Sequence, residues 1–413
     1  MGNKLARDGA AELAAAALEK MALAPDQAVR NYAGFLKNNI RDYGMMLSLI
    51  AIMGFFQFMT DGTLLQPLNL TNLVLQNSYV VIMALGMLLV IVCGHIDLSV
   101  GSVVGFIGAL AAVLIVDVHM NFVLASVICL ITGAVIGGMQ GYFIAYFKIP
   151  SFIVTLAGML VFKGLSLALL DGQSVGPFPR GFQMLSSGFL PDPFAYADLR
   201  ALSLLLGIVM AFILIYVELR ARAKHTAHGM ENEPYYFFLG KNAVFAALII
   251  YFSYLLATYR GFPTVLAVMA ILILVYTFIT NRTVLGRRVY AVGGNEKAAR
   301  LSGIKTERVS LAAFINMGML AALAGLIFAA RLNTATPKAG TGFELDVIAA
   351  CFIGGASASG GVGKVMGAVI GAFVMGVMNN GMSIMGIGID YQQVIKGLVL
   401  LAAVFVDVIN KNK

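Results

Sequence analysis

A carboxylate, an imidazole and two hydroxyls fall within a few residues of each other in Cys93-Gly94-His95-Ile96-Asp97-Leu98-Ser99-Val100-Gly101-Ser102, between two long apolar runs. Ionisable groups in such a setting are costly, and they face a bundle interior or a water-filled path. Two readings of Asp97 stand side by side. It can cap a helix that starts near Ser99, its oxygen accepting from exposed backbone N–H groups, or it can touch or gate a passing solute. A second group comprises Glu344 and Asp346, the run from Gly354 to Gly361, and Asn379-Asn380-Gly381. Glycine permits unwound backbone and Asn offers both donor and acceptor, an inventory that suits a polar uncharged solute and equally suits structural turns. The candidate substrate path is therefore His95, Asp97, Ser99, Glu344, Asn379 and Asn380.

The third group, residues 281–308, holds seven basic residues. Gly293-Gly294 predicts a turn, Asn295 an N-cap, and Gly303 a stop; Glu296 suits the positive end of a helix and Arg300 the negative end. The pattern predicts one short, separately capped helix at the membrane surface. Ala298 and Ala299 would give it a small-residue face for a partner's groove. The plain alternative is a loop whose charge only sets topology. No Gly-x-x-x-x-Gly-Lys-Ser/Thr, His-Glu-x-x-His or Cys-x-x-Cys signature occurs, so no catalytic residue, metal site or cofactor is expected. His225 and His228 lie among Arg220, Arg222 and Lys224 and read as a solvated basic face.

The elements that must position these groups follow from composition. The 413 residues are 60% hydrophobic and 12% charged with mean hydropathy +0.89, whereas soluble domains carry about 25% charged residues. This excludes a water-soluble enzyme, a disordered chain and a disulfide scaffold. Cys93, Cys129 and Cys351 lie far apart in apolar stretches and read as small buried side chains.

Twelve apolar runs are candidate crossings: about 43–60, 70–93, 100–116, 121–147, 151–170, 201–219, 242–258, 263–280, 309–330, 344–358, 362–385 and 391–409. Runs 100–116 and 344–358 are short and lie beside Gly-rich or ionisable segments, as broken or re-entrant elements do. The expected fold is all-α, a polytopic membrane protein of about 10–12 transmembrane helices. If all twelve cross and the N-terminus is cytoplasmic, 20 Lys and Arg lie inside and five outside. That balance favours this orientation, with both termini cytoplasmic. It also accounts for the net charge of +8 without nucleic acid. Residues 1–42 read as a cytoplasmic leader without a signal peptide, 43–409 as the transmembrane domain, 410–413 as a tail, and 171–200 as an external platform. Rows of glycine at Gly133, Gly137, Gly141 and at Gly363, Gly367, Gly371 predict close helix packing.

The segment from Thr283 to Asn295, continuing through Ala298-Ala299-Arg300-Leu301-Ser302-Gly303-Ile304, resembles the ATPase-contacting loop of monosaccharide ABC-importer permeases, the family of the ribose, xylose and galactoside permeases. His95 to Ser102, Ile149 to Leu156, Glu344 to Ala350 with Gly354-Gly355, and Gln392 to Gly397 are similar to signatures of the same family, in the same order. The resemblance covers about 43–409 and points most toward xylose-type and multiple-monosaccharide permeases. It implies a bacterial inner-membrane permease, paired as a homodimer, with a cytoplasmic ABC ATPase subunit and a periplasmic sugar-binding protein. It also implies an ATPase-coupling role for Gly293, Gly294, Asn295, Glu296, Ala298, Ala299 and Arg300. The rival reading is an ion-coupled secondary sugar transporter with Asp97, Glu344 or Asp390 as the coupling acid; a passive channel or scaffold is the third.

Overall fold

A computed structural model describes residues 40–194, 199–228 and 235–411. The expected leader lies almost wholly outside the described residues, and half of the expected tail does. Among those described, every regular element is helical, apart from two isolated bridges, Val175 with Ala335 and Phe189 with Pro263. Among the described residues, 40–44 and 208–249 belong to one compact unit, and 45–207 with 250–411 to a second. In the first unit, Lys241 Nζ lies 3.2 Å from Glu218 Oε2 and Arg222 lies over the Phe238 ring.

The helices are α1 Ile40–Met59, α2 Pro67–Val92, α3 Val100–Ala112, α4 Phe122–Tyr146 and α5 Ser151–Leu169. They are followed by α6 Arg180–Ser187, α7 Ala201–Ala227, α8 Tyr235–Ala257, α9 Thr264–Arg282 and α10 Val284–Gly294. The chain continues with α11 Glu296–Leu301, α12 Thr306–Leu332, α13 Phe343–Ile353, α14 Val365–Ile384 and α15 Ile389–Lys411. Their starts are local chemistry. Pro67 sits in the first turn of α2, where its missing N–H costs nothing, and Asn121 Oδ1 accepts from Val123 N at the start of α4.

Ten helices are long and apolar enough to cross a bilayer among the described residues. Of the twelve apolar runs, 344–358 falls short and gives the 11-residue α13, while 43–60 lies in the 20-residue α1. At 1.5 Å per residue α13 spans only about 16 Å, bounded by left-handed Gly342 and by Gly354-Gly355. The run 100–116 does reach crossing length, because α3 continues as a π-turn over Val113–Asp117.

α2 is buried on every side, and α12, α14, α13 and α9 pack around it. α4, α9 and α15 keep apolar faces outward, as helices in contact with lipid do. The glycine rows sit where backbones touch. A methyl on Gly137 would lie 2.1 Å from Phe314 O, one on Gly133 2.4 Å from Gly318 O, and one on Gly371 1.9 Å from Ala350 O. Segment 171–200 contributes α6, whose Phe182 is fully buried, and Phe178 N donates to Asn333 Oδ1 just past α12.

Replacing Gly137 with Ala forces α4 and α12 apart against backbone, where overpacking costs about 1–3 kcal/mol. The purified Gly137→Ala protein should unfold in detergent several degrees below the parent. An unchanged midpoint would mean that the two helices separate freely.

Candidate functional site

Thr283 Oγ1 accepts from Gly286 N and starts α10. At Asn295 the backbone turns extended, with φ −161° and ψ 102°, and Oδ1 accepts from Ala298 N at 3.0 Å to start α11. The expected capped helix is therefore present, with a correction upstream. Gly293-Gly294 is the last turn of a second helix, α10, rather than a free turn. Left-handed Gly303 ends the segment, and Ile304 N donates to Ala299 O. The two alanines part company: Ala299 is buried against its own chain, whereas Ala298 is exposed. Leu301 is 90% exposed and joins Ala298, Asn295 and Arg300 on the outward side. The small-residue argument did not single out Leu301, an apolar side chain left bare on this capped helix.

The loop is fastened to the bundle through backbone. A methyl on Gly293 would lie 1.6 Å from Val92 O, at the end of α2, and 2.7 Å from Gly361 N. Gly361 N donates to Val92 O at 2.9 Å, and Tyr290 Oη donates to Gly363 O at 2.7 Å. Gly94 and Gly360 close the same cluster. Side chains add a second fastening. Glu296 Oε1 accepts from Lys148 Nζ at 2.8 Å and from Thr306 Oγ1 at 3.1 Å, and Arg300 pairs with Glu307. The Lys148 ammonium holds the Glu296 carboxyl below its ordinary range. His95 belongs to this end as well, with Nε2 3.2 Å from Ser310 Oγ in the first turns of α12.

Farther into the bundle, Asp97 Oδ1 accepts from Ser99 N at 2.8 Å and from Ser99 Oγ at 2.6 Å. Asp97 thus closes an Asx-turn just before α3 and does not cap the N–H groups of the helix itself. Gln140 Oε1 lies 3.1 Å from Ser99 Oγ, while its Nε2 is buried without a partner. Turning the amide over would let the NH₂ donate to Ser99 Oγ and leave the hydroxyl proton for Asp97. α3 begins deep in the bundle, because Val104 lies against Gly325 and Gly108 against Ala329, well along α12. There the broken segments meet: a methyl on Gly101 would lie 2.3 Å from Gly340 O and 2.4 Å from Glu344 Oε2.

The other expected path residues fall elsewhere. Asn379 Nδ2 donates to Asp346, whose carboxylate also holds Lys396 Nζ at 3.0 Å. Asn380 and Asn69 exchange amide hydrogen bonds of 3.0 and 3.2 Å. Asn69 is in the first turn of α2 and Gly94 follows its last, so the two polar regions lie near opposite ends of a helix about 39 Å long. Gln140, Asn69 and Lys163 were not singled out in sequence. Lys163, the lone charge in run 151–170, had a readable signal, since ionisable residues inside spans are functional by default.

Packed apolar helices with two broken elements, polar groups held inside, and a helical loop bolted to one end define a membrane permease. The chain belongs to the family described as branched-chain amino acid transport system / permease component, whose model matches residues 69–404. It is 39% identical to the xylose transport system permease protein XylH of Escherichia coli K12, over 92% of this chain and 95% of that one. With XylH of Haemophilus influenzae the identity is 41%, over 91% and 98%, and with the ribose import permease protein RbsC of Bacillus subtilis 34%, over 88% and 94%. No solved structure matches the chain significantly. The resemblance read from the motifs is borne out: the protein is a multi-pass permease component of a transport system, not an enzyme.

Two outcomes follow from this geometry. Gly293→Ala should insert normally yet lower coupled transport at least tenfold, as measured by uptake and by surface expression; wild-type uptake would mean the Gly293 contact is dispensable. Asp97→Asn keeps an acceptor for Ser99 and should retain most uptake. Asp97→Ala leaves a buried N–H unpaired, at about 1–3 kcal/mol, and should lower folded yield in a fluorescence size-exclusion assay.

Proposed function

We propose that this chain is the membrane subunit of an ATP-driven importer of monosaccharides, with pentoses of the xylose type first among the candidates. A separate cytoplasmic ABC ATPase seats on α11, a periplasmic sugar-binding protein delivers the solute, and the membrane is the bacterial inner membrane with both termini cytoplasmic. The observation that carries this reading is the α10–α11 segment: an exposed, capped helix bearing bare Leu301, fused through Gly293 to the end of the central helix α2. Such a segment turns a push from a partner into motion of the bundle. The similarity to xylose and ribose permeases supports the solute class. Energy supplied by another component of a transport system also speaks against the ion-coupled carrier.

The chain acts as a homodimer with α5 facing its second copy and the path. Lys163 supports this: it is exposed on α5, some two thirds along an otherwise apolar helix, where an ammonium facing lipid would be costly. Leu160 and Val161, exposed beside it, would then lie in or near the contact.

The test reconstitutes the permease with its ATPase and binding protein in vesicles. Uptake of D-xylose should follow ATP and ignore an imposed proton gradient, and Leu160→Cys should give a disulfide-linked dimer on mild oxidation. Gradient-driven uptake without ATP would overturn the importer, and a strictly monomeric product would overturn the α5 contact.

A further inference from the structure

Among the cavities, one has the chemistry of a solute site. It is a partly open pocket of about 140 Å³ between α3, α5 and the segment leading into α13. Ser102 and Gly105 line it from one face of α3, and Met159, Lys163 and Ser166 from one face of α5, at spacings of three and four residues. Glu344 closes it from the first turn of α13.

Ser166 Oγ is the telling group. The residue is 3% exposed and lines this space, and its hydroxyl has no hydrogen-bond partner. Leaving a buried hydroxyl unpaired costs free energy, which a solute with its own hydroxyls would recover. Lys163 and Glu344 reach the same cavity from different helices without forming an ion pair between them among the described residues. One ammonium and one carboxylate offer donors and an acceptor while adding no net charge, so a neutral polyol is favoured over either kind of ion. Met159, Leu160 and Pro337 supply the apolar wall that the C–H face of a sugar ring needs. The volume lies below the roughly 300–1,000 Å³ of pockets for drug-sized ligands, which limits the occupant to about one small ring.

We propose that this cavity is a resting site for a single monosaccharide on its way through the membrane, with Ser166, Ser102, Lys163 and Glu344 as its polar contacts. The proposal rests on the sugar-importer reading above. Glu344 was a candidate from sequence; the other three come from the fold. So few contacts hold a solute briefly, and a path requires that it leave again.

The experiment uses the complete importer carrying Ser166→Cys. Native Cys93, Cys129 and Cys351 are all buried, so the parent serves as the unreactive reference. A small cationic methanethiosulfonate reagent should label the new thiol, and saturating D-xylose should slow labelling at least fivefold, whereas sorbitol at equal osmolarity should not. If wild type takes up D-ribose, D-galactose, D-glucose or L-arabinose instead, that sugar replaces D-xylose as the probe. Equal labelling rates with and without the transported sugar overturn the site. In parallel, Ser166→Leu should cut uptake at least tenfold while binding-protein-stimulated ATP hydrolysis persists. Undiminished uptake would also overturn the site, and Cys protection decides the matter if the Leu variant fails to fold. A wild-type importer that takes up none of these sugars with ATP overturns the importer reading itself, a result separate from either outcome at Ser166.

Discussion

Backbone touching backbone through glycine is the contact on which this molecule depends. Apolar side chains gain nothing by leaving lipid tails for one another, so helices in a bilayer are held by close packing and by polar groups that find partners. The α4–α12 seam at Gly133, Gly137 and Gly318, the α13–α14 seam at Gly354, Gly367 and Gly371, and the junction of Gly293 with Val92 and Gly361 are one device used three times. In the first two it sets the spacing of the bundle. In the third it joins the bundle to the surface loop with no flexible side chain in between, so displacement of α10 is felt directly by α2.

Polar groups inside the bundle follow a different rule. Asp97 is enclosed by Ser99, Asp346 by Lys396 and Asn379, and Asn380 by Asn69. Each is largely occupied by its own chain, which suits parts that fix register between helices and argues against easy contact with a passing solute. Among the described residues Lys163 and Ser166 have no such partners, and they line one space. The difference between occupied and waiting polar groups separates scaffolding from site here.

What the sequence disclosed was local. Asn295, Glu296 and Gly303 announce a capped helix because caps act over three or four residues, and the apolar runs announce spans because insertion depends on roughly 20 residues at a time. The glycine rows at 133–141 and 363–371 were legible as packing surfaces. Their partners were not, since Gly137 meets Phe314 across a separation that no periodicity encodes. The same limit bears on the candidate path residues from His95 to Asn380. Each residue was rightly picked as a polar interruption, but only folding shows that His95 belongs with Ser310 and Asn380 with Asn69. Ala299 turned inward because the face of a six-residue helix is set by where its neighbours lie.

The burial of α2 bears on how the protein is assembled. Its 26 residues are as hydropathic as those of the peripheral spans, yet 89% of its most apolar stretch is hidden from everything but protein. A helix that ends without lipid contact has no need of that character in the finished molecule; it needs it only while it enters the bilayer alone, before α12 and α14 exist to surround it. Its sequence thus answers to two judges at different times, membrane insertion first and packing later. Its thickness match to the host bilayer matters only for the first, and changes in lipid composition should act on the mature protein through the outer helices instead.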